Sequence, residues 1–382
     1  MALHYVIRAE ERASFLRCRR AWNFGSRERR SLEPTGPGAA VDLQRTLLEA
    51  LAVYYFPGMW DWQPAIVLPL VRKALEGSLR DQQSEYLTAH GLATLPPEQV
   101  ELTAHRHQQA SAMLEAYIGW APTADAFSPV GVVVEADTTV PDHRAPHRDI
   151  VSPDGRAVRF RDRVHGLVID EHNNYWIMEH RLVHGAWPDV ETVTLDDRCL
   201  AWCWVWQREY GGMRIEGTIY NELRVGTPAA VTAPPGPRGS VSQTDTYIRP
   251  WAPVQDPQVL DTPALPARPV YELRVQQGEH FRRIQVPRSR GEISAFGDRL
   301  SAQVLDMIDP NVLIYPNPAP AHCGPCEFRQ PCIATNAGGD VETMLAEHYK
   351  PREHDGPQAG RLGAVAPNRG GGALSTFGQR RR

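Results

Sequence analysis

Lysine is almost missing from this chain. Lys73 and Lys350 are its only two, so of 41 basic residues 39 are arginine. Chemistry that needs a compact ammonium beside a reacting group has two positions to draw on; everything else must use a planar, delocalised guanidinium. Long apolar runs are missing too. None approaches the ~20 residues of a membrane span, and the opening MALHYVIRAEERASF carries acids where a secretory leader would not. A cytoplasmic protein with no membrane partner is expected. A strong charge balance is also lacking: the net charge of −4 excludes a uniformly basic nucleic-acid coat but allows a local basic groove. There is no internal repeat.

What is present is enough for one large domain or two ordinary ones: 382 residues, 42% of them apolar. Residues 8–30 read as an arginine-rich opening helix or helix–turn within an N-terminal segment, 1–37. Helical periodicity over 38–56, 64–92 and 98–120 predicts a helical subdomain spanning 38–125. Strand patterns then take over from 130 to 183, and DDRCLAWCWVWQREYGG, 196–212, reads as a buried helix opened by an Asp cap and closed by a Gly pair. A strand at 213–225 follows. Residues 227–269, rich in Pro, Gly, Ser and Thr, read as a loop or insertion. The strand FRRIQVPRSR leads into a helix ending at Pro310, and 336–382 reads as a disordered basic tail. The α/β core with its cysteines is expected over 126–335.

Two stretches carry chemistry. RFRDRVHGLVIDEHNNYWIMEHRLV, 159–183, has the form of a β-hairpin around the turn formers 170–174. Alternation sets Tyr175, Ile177, Glu179 and Arg181 on one face and Trp176, Met178, His180 and Leu182 on the other. A carboxylate and a cation two residues apart at a strand end suggest a metal-dependent phosphodiesterase. The second stretch, HCGPCEFRQPC, spaces Cys323, Cys326 and Cys332 as C-x2-C-x5-C. In a cytoplasmic chain such clustering points to a metal or iron–sulfur site before disulfides. Three thiolates leave one ligand short of four, and Cys18 in SFLRCRRAWNF is the best fourth. Cys199 and Cys203 suit a buried structural role. Zinc is the alternative occupant.

Together these pieces resemble the RecB-family iron–sulfur nucleases of the PD-(D/E)XK superfamily, over roughly residues 12–335: an N-terminal Cys, a helical insert, the hairpin, an aromatic helix and three C-terminal Cys. The resemblance implies a restriction-endonuclease-like α/β core with a central mixed sheet. It also implies a 4Fe–4S cluster on Cys18, Cys323, Cys326 and Cys332 that clasps the chain ends beside a DNA channel. In active relatives Mg²⁺ or Mn²⁺, held by carboxylates, polarises the phosphate while a lysine orients the attacking water. Here that pattern is altered. The family's G-R-[IV]-D reads Asp162-Arg163-Val164-His165, and its D/E-x-K reads Glu179-His180-Arg181. His165 thus replaces the metal-binding aspartate, and imidazole is a poor ligand for hard Mg²⁺. Asp162, three residues earlier, is expected on the opposite strand face unless a bulge intervenes. Leu48 stands where relatives carry a histidine, and Arg198 and Trp202 replace a Q-x-x-x-Y motif.

The expectation is therefore a DNA-binding protein, engaging ends or single strands, with impaired or absent nuclease chemistry, working beside a helicase or an active nuclease subunit. The alternatives are a working exonuclease built on Glu179 and Arg181 with His165 or Asp162 on the metal, and a zinc-stabilised interaction scaffold. Arg17, Arg19, Arg20, Arg198, Arg282, Arg283, Arg288 and Arg290 are the candidate DNA contacts; a solvated strand face is the other reading of the four on FRRIQVPRSR. His165 alone also suits a hydrogen-bonded strand histidine. Trp202, Trp204 and Trp206 fit one helical stripe poorly, which predicts at least one outside the main core.

Overall fold

A computed structural model describes residues 4–145, 147–211, 213–226, 246–248 and 273–352. The opening segment is a short strand β1 (His4–Arg8) followed by α1 (Ala9–Arg17) and α2 (Arg19–Gly25), so the predicted helix–turn is right but preceded by a strand. After β2 (Leu32–Pro34) come α3 (Leu43–Tyr54), α4 (Pro64–His90) and α5 (Pro97–Ala124), at the three stretches whose periodicity is helical. Asp42 starts α3 by accepting the Gln44 and Arg45 amides, and Gly91 ends α4 at φ 62°, a left-handed stop that costs glycine nothing.

The sheet is mixed. It contains β3 (Phe127–Thr139), β4 (Ala157–Asp170), β5 (Tyr175–Val183) and β6 (Ile215–Arg224), with α6 (Asp197–Glu209) between the last two. β7 (Thr246–Ile248), β8 (Leu273–Gln277) and β9 (Phe281–Pro287) complete it. The order is β1-β4-β5-β6-β9-β8-β7, with β3 on the other edge of β4. β1 with β4 and β5 with β6 are parallel; the remaining pairs are antiparallel. Apart from β7, the segment 227–269 lies outside the described residues. β6 and β9 approach so closely that a Cβ on Gly217 would stand 2.1 Å from the Val286 carbonyl oxygen; only glycine fits there.

Helices cover both faces. On one side α3, α4 and α5 bury Leu47, Leu51, Val71 and Tyr117 against Val168, Met178 and Ile219. On the other, α6 and α7 (Arg290–Ile308) pack on Val158, Phe160, Ile177 and Tyr220. Trp202, Trp204 and Trp206 all belong to this second core at 0–5% exposure, which corrects the expectation that one would lie outside it. The sheet and α7 together give α6 apolar neighbours on nearly every side, so its tryptophans need no single stripe.

The C-terminal part also departs from expectation. After α8 (Pro320–Cys323) and α9 (Arg329–Ala337), residues read as a disordered tail form α10 (Val341–His348) and β10 (Tyr349–Pro351). β10 pairs antiparallel with β2, and Leu345 packs with Ala21, Phe24 and Phe328 in a small core of its own. Residues 353–382 lie outside the described residues. Among the described residues no helix is long and apolar enough to cross a membrane.

Candidate functional site

The hairpin forms as its alternation predicts: 166–169 of β4 pair with 175–178 of β5, and Asn173 takes φ 63° in the turn. Beyond that the strands part. β1 occupies the same edge of β4 over residues 157–161, so Asp162 to His165 fall in the interval between two partners. The sheet forks there. In place of a ladder bond, the His180 amide donates to His165 Nδ1 at 3.1 Å.

β4 also changes face at the fork. Val164 and Leu167, an odd number of residues apart, both enter the core under α6, and on β3 Val132 and Val134 enter opposite cores. A regular strand cannot do either. Val133, between them, sits at φ 52°. The consequence corrects the expected placement of Asp162: it shares the α6 side with Glu179. Arg198 lies 3.5 Å from Glu179 Oε1 and its charge also acts on Asp162.

Glu179 is 2% exposed. Its Oε1 faces two guanidiniums, Arg198 at 3.5 Å and Arg181 at 3.6 Å, and its Oε2 lies 3.1 Å from His165 Nδ1. Because that nitrogen already accepts the His180 amide, it has no proton to give Glu179 unless the ring reorganises. Arg181 pairs with Asp196, the cap of α6, touches Cys199 Sγ at 3.6 Å and lies over the Tyr220 ring. Burial opposes its charge, but Cys199, Asp196 and Glu179 outweigh that and hold its pKa above the ordinary value. Burial pushes the Asp162 carboxyl up to about 7, against the pull of the Arg163 amide and Arg198. Its Oδ2 is buried and finds no hydrogen-bond partner among the described residues, although Trp202 lies near enough to favour its charged form slightly. Arg198 covers Trp202 at 4.9 Å and is half exposed.

Behind the fork, on the helical side, lies a second polar cluster that the sequence did not announce. Arg283 is fully enclosed. It pairs with Asp125 and donates to the hydroxyls of Tyr55 (3.0 Å) and Tyr117 (2.9 Å) and to Asn221 Oδ1 (3.2 Å). Asn221 Nδ2 stands 2.7 Å from His180 Nδ1, and the His180 ring stacks between Tyr55 and His165. Burial, with His165 and Arg283 nearby, drives the His180 pKa well below its usual value, so this imidazole is neutral.

Three arginines expected to meet DNA are thus enclosed. Arg283 serves this cluster. Arg282 is held by Glu222 at 2.7 Å and the Pro188 carbonyl under Trp187, and Arg288 donates to the carbonyls of Val193 (2.9 Å) and Thr194 (2.5 Å). For Arg282 and Arg283 strand alternation is the reason: in a sheet covered on both faces no side of β9 is left for solvent. Arg290, at the start of α7, is exposed. Arg17 is exposed, whereas Arg19 is shared between Asp306 and the Phe15 and Tyr315 rings. Leu48 is half-buried on α3.

The four cysteines of the predicted clasp come from opposite chain ends to one locale. Arg20, two residues beyond Cys18, donates to Asn336 at 2.6 Å and reaches Cys332 Sγ at 3.6 Å. The Asn317 amide donates to Cys18 Sγ at 3.4 Å. Burial raises the Cys326 pKa; the Phe328 amide and Arg17 pull it down, and Cys18 and Cys323 push it up again. All six cysteines are free thiols, and Cys199 and Cys203 are buried in the α6 core as expected. Among the described residues no group of three or more ligating side chains is arranged to hold a metal ion. Thiols gathered in one locale are a donor set for either zinc or an iron–sulfur cluster. The fork is a poor fit to Mg²⁺, since an imidazole and two guanidiniums surround the Glu179 carboxyl group.

The sequence matches no protein-family model and no curated protein.

Proposed function

We propose that the chain is a DNA-engaging protein of the RecB-like PD-(D/E)XK type whose hydrolytic site has been given over to arginine. One observation carries the reading: Glu179, buried in the sheet fork, is met by Arg181 and Arg198 on one oxygen and by His165 on the other. Guanidiniums neutralise there the charge that a hard cation would otherwise neutralise, and a residue with a pKa above ~12 cannot shuttle a proton for water. The fork itself, a mixed sheet between two helical layers, and the meeting of Cys18 with the C-terminal thiols support the family assignment. A 4Fe–4S cluster on Cys18, Cys323, Cys326 and Cys332 would supply a covalent cross-link between the chain ends. Arg17, exposed beside Cys18, and the half-exposed Arg198 are then the contacts for DNA ends or single strands, with a helicase or an active nuclease as partner.

The test is restoration. Purified protein and the Arg181→Lys, His165→Asp double variant are incubated with labelled single-stranded DNA and Mg²⁺ or Mn²⁺. No cleavage by the natural chain and divalent-dependent cleavage by the variant is the expected result. Cleavage by the natural chain that Glu179→Ala abolishes would establish a working exonuclease instead.

A further inference from the structure

Far from the fork, the end of α6 and the start of α7 leave a cleft of about 480 Å³, a volume in the range of small-ligand sites. Its floor is apolar, from Trp204, Met213 and Ile293, and its rim carries three exposed guanidiniums, Arg208, Arg214 and Arg290. They come from three different elements, which only the fold brings together. α6 rises about 1.5 Å per residue, so Arg208 stands about 15 Å along the helix from Arg198 and the cleft is separate from the Glu179 site.

The rim is short of acid. Arg214 is shared with Glu216 at 2.9 Å. Arg208 lies over the Trp204 ring and, with Arg290, makes no ion pair or side-chain hydrogen bond to a described residue. Arg290 is also the first residue of the 19-residue α7, whose start is closed by a Ser289–Glu292 capping box. Glu292, the nearest acid on that helix, is engaged by the cap: it accepts the Ser289 amide at 2.9 Å and lies 3.9 Å from Arg288. Guanidiniums converging above an apolar floor suit an oxyanion attached to an apolar or planar body.

We infer that this cleft receives an organic phosphate, its oxygens on Arg208, Arg290 and the part-shared Arg214 and its carbon-bearing part on Trp204, Met213 and Ile293. The phosphate could belong to a small molecule or to a nucleic-acid backbone; the chemistry of reception is the same. The inference does not rest on the DNA-binding reading.

The experiment titrates full-length protein at low salt with inorganic phosphate, phenyl phosphate and a single-stranded oligonucleotide. Phenyl phosphate should bind more tightly than inorganic phosphate, and Arg208→Gln and Arg290→Gln should each weaken it about tenfold. Arg72→Gln, an exposed charge on α4 paired with Glu115, should leave binding unchanged. Both cleft arginines are exposed, so unchanged thermal melting checks that the variants fold. Oligonucleotide binding that competes with phenyl phosphate identifies the backbone as the source; phenyl phosphate binding without competition identifies a free organic phosphate. Absent phenyl phosphate binding, or binding that ignores both substitutions, overturns the inference. Oligonucleotide binding that persists in that case leaves the DNA reading standing alone.

Discussion

Replacing Arg283 by methionine separates the two roles that an arginine on β9 can have. The guanidinium is enclosed with Asp125 and meets two tyrosine hydroxyls and Asn221. Burial opposes its charge, yet Asp125 and the two tyrosines outweigh that and hold its pKa well above the ordinary value. Methionine keeps most of the volume and removes every donor. Asp125 is then left buried, with the Tyr55 hydroxyl at 3.1 Å as a remaining donor. Breaking a buried pair from one side costs roughly 3–5 kcal/mol, and the surviving Tyr55 bond sets the lower end here. Urea unfolding followed by tryptophan fluorescence should show that loss with an unchanged slope. Asp125→Leu in the same chain should return a good part of it, because the orphaned carboxylate goes as well. Any DNA affinity of the folded fraction, as proposed above, should not move. A stability loss under ~1 kcal/mol, or a fall in DNA affinity at unchanged stability, would show that Arg283 works at the surface and that this placement is wrong.

Two further outcomes follow, one from the fork and one from the proposed cluster. The Asp162 carboxyl holds its proton to about pH 7 when folded and loses it near 4 when unfolded. Between those values the native state binds more protons, so stability falls as pH rises from about 4 to about 7. Asp162→Asn should flatten that fall and be the more stable protein at pH 8, by on the order of 4 kcal/mol; parallel pH profiles of the two proteins would refute it. If the proposed 4Fe–4S cluster is present, anaerobically purified protein should be brown, Cys18→Ser should bleach it and expose the chain ends to protease, and Cys203→Ser, in the α6 core, should keep the colour. A colourless natural protein containing zinc would overturn the cluster.

How much of this was legible beforehand differs by element. The hairpin, the cap of α6 and the three helices of the first third were readable because each is encoded locally by turn formers, a period or a cap. Glu179 and Arg181 on one face followed from alternation alone. The same rule misplaced Asp162, since the change of face between Val164 and Leu167 depends on how β3, β1 and β5 share the edges of β4. The arginines of FRRIQVPRSR looked like a basic surface strand; their acidic partners Asp125 and Glu222 lie 158 and 60 residues away. Nothing local marks them.

Periodicity, turn formers and a cap thus determined, without any coordinates, a helical first third, a strand hairpin after it and Glu179 and Arg181 on one face of that hairpin. Short-range steric and hydrogen-bonding rules suffice for that. Only the tertiary structure decided which charges are spent inside. Burial depends on what covers a strand's second face, and so it took the packed fold to enclose Arg282, Arg283 and Arg288, to set Arg198 on Glu179 and to leave Arg208, Arg214 and Arg290 together at an open cleft.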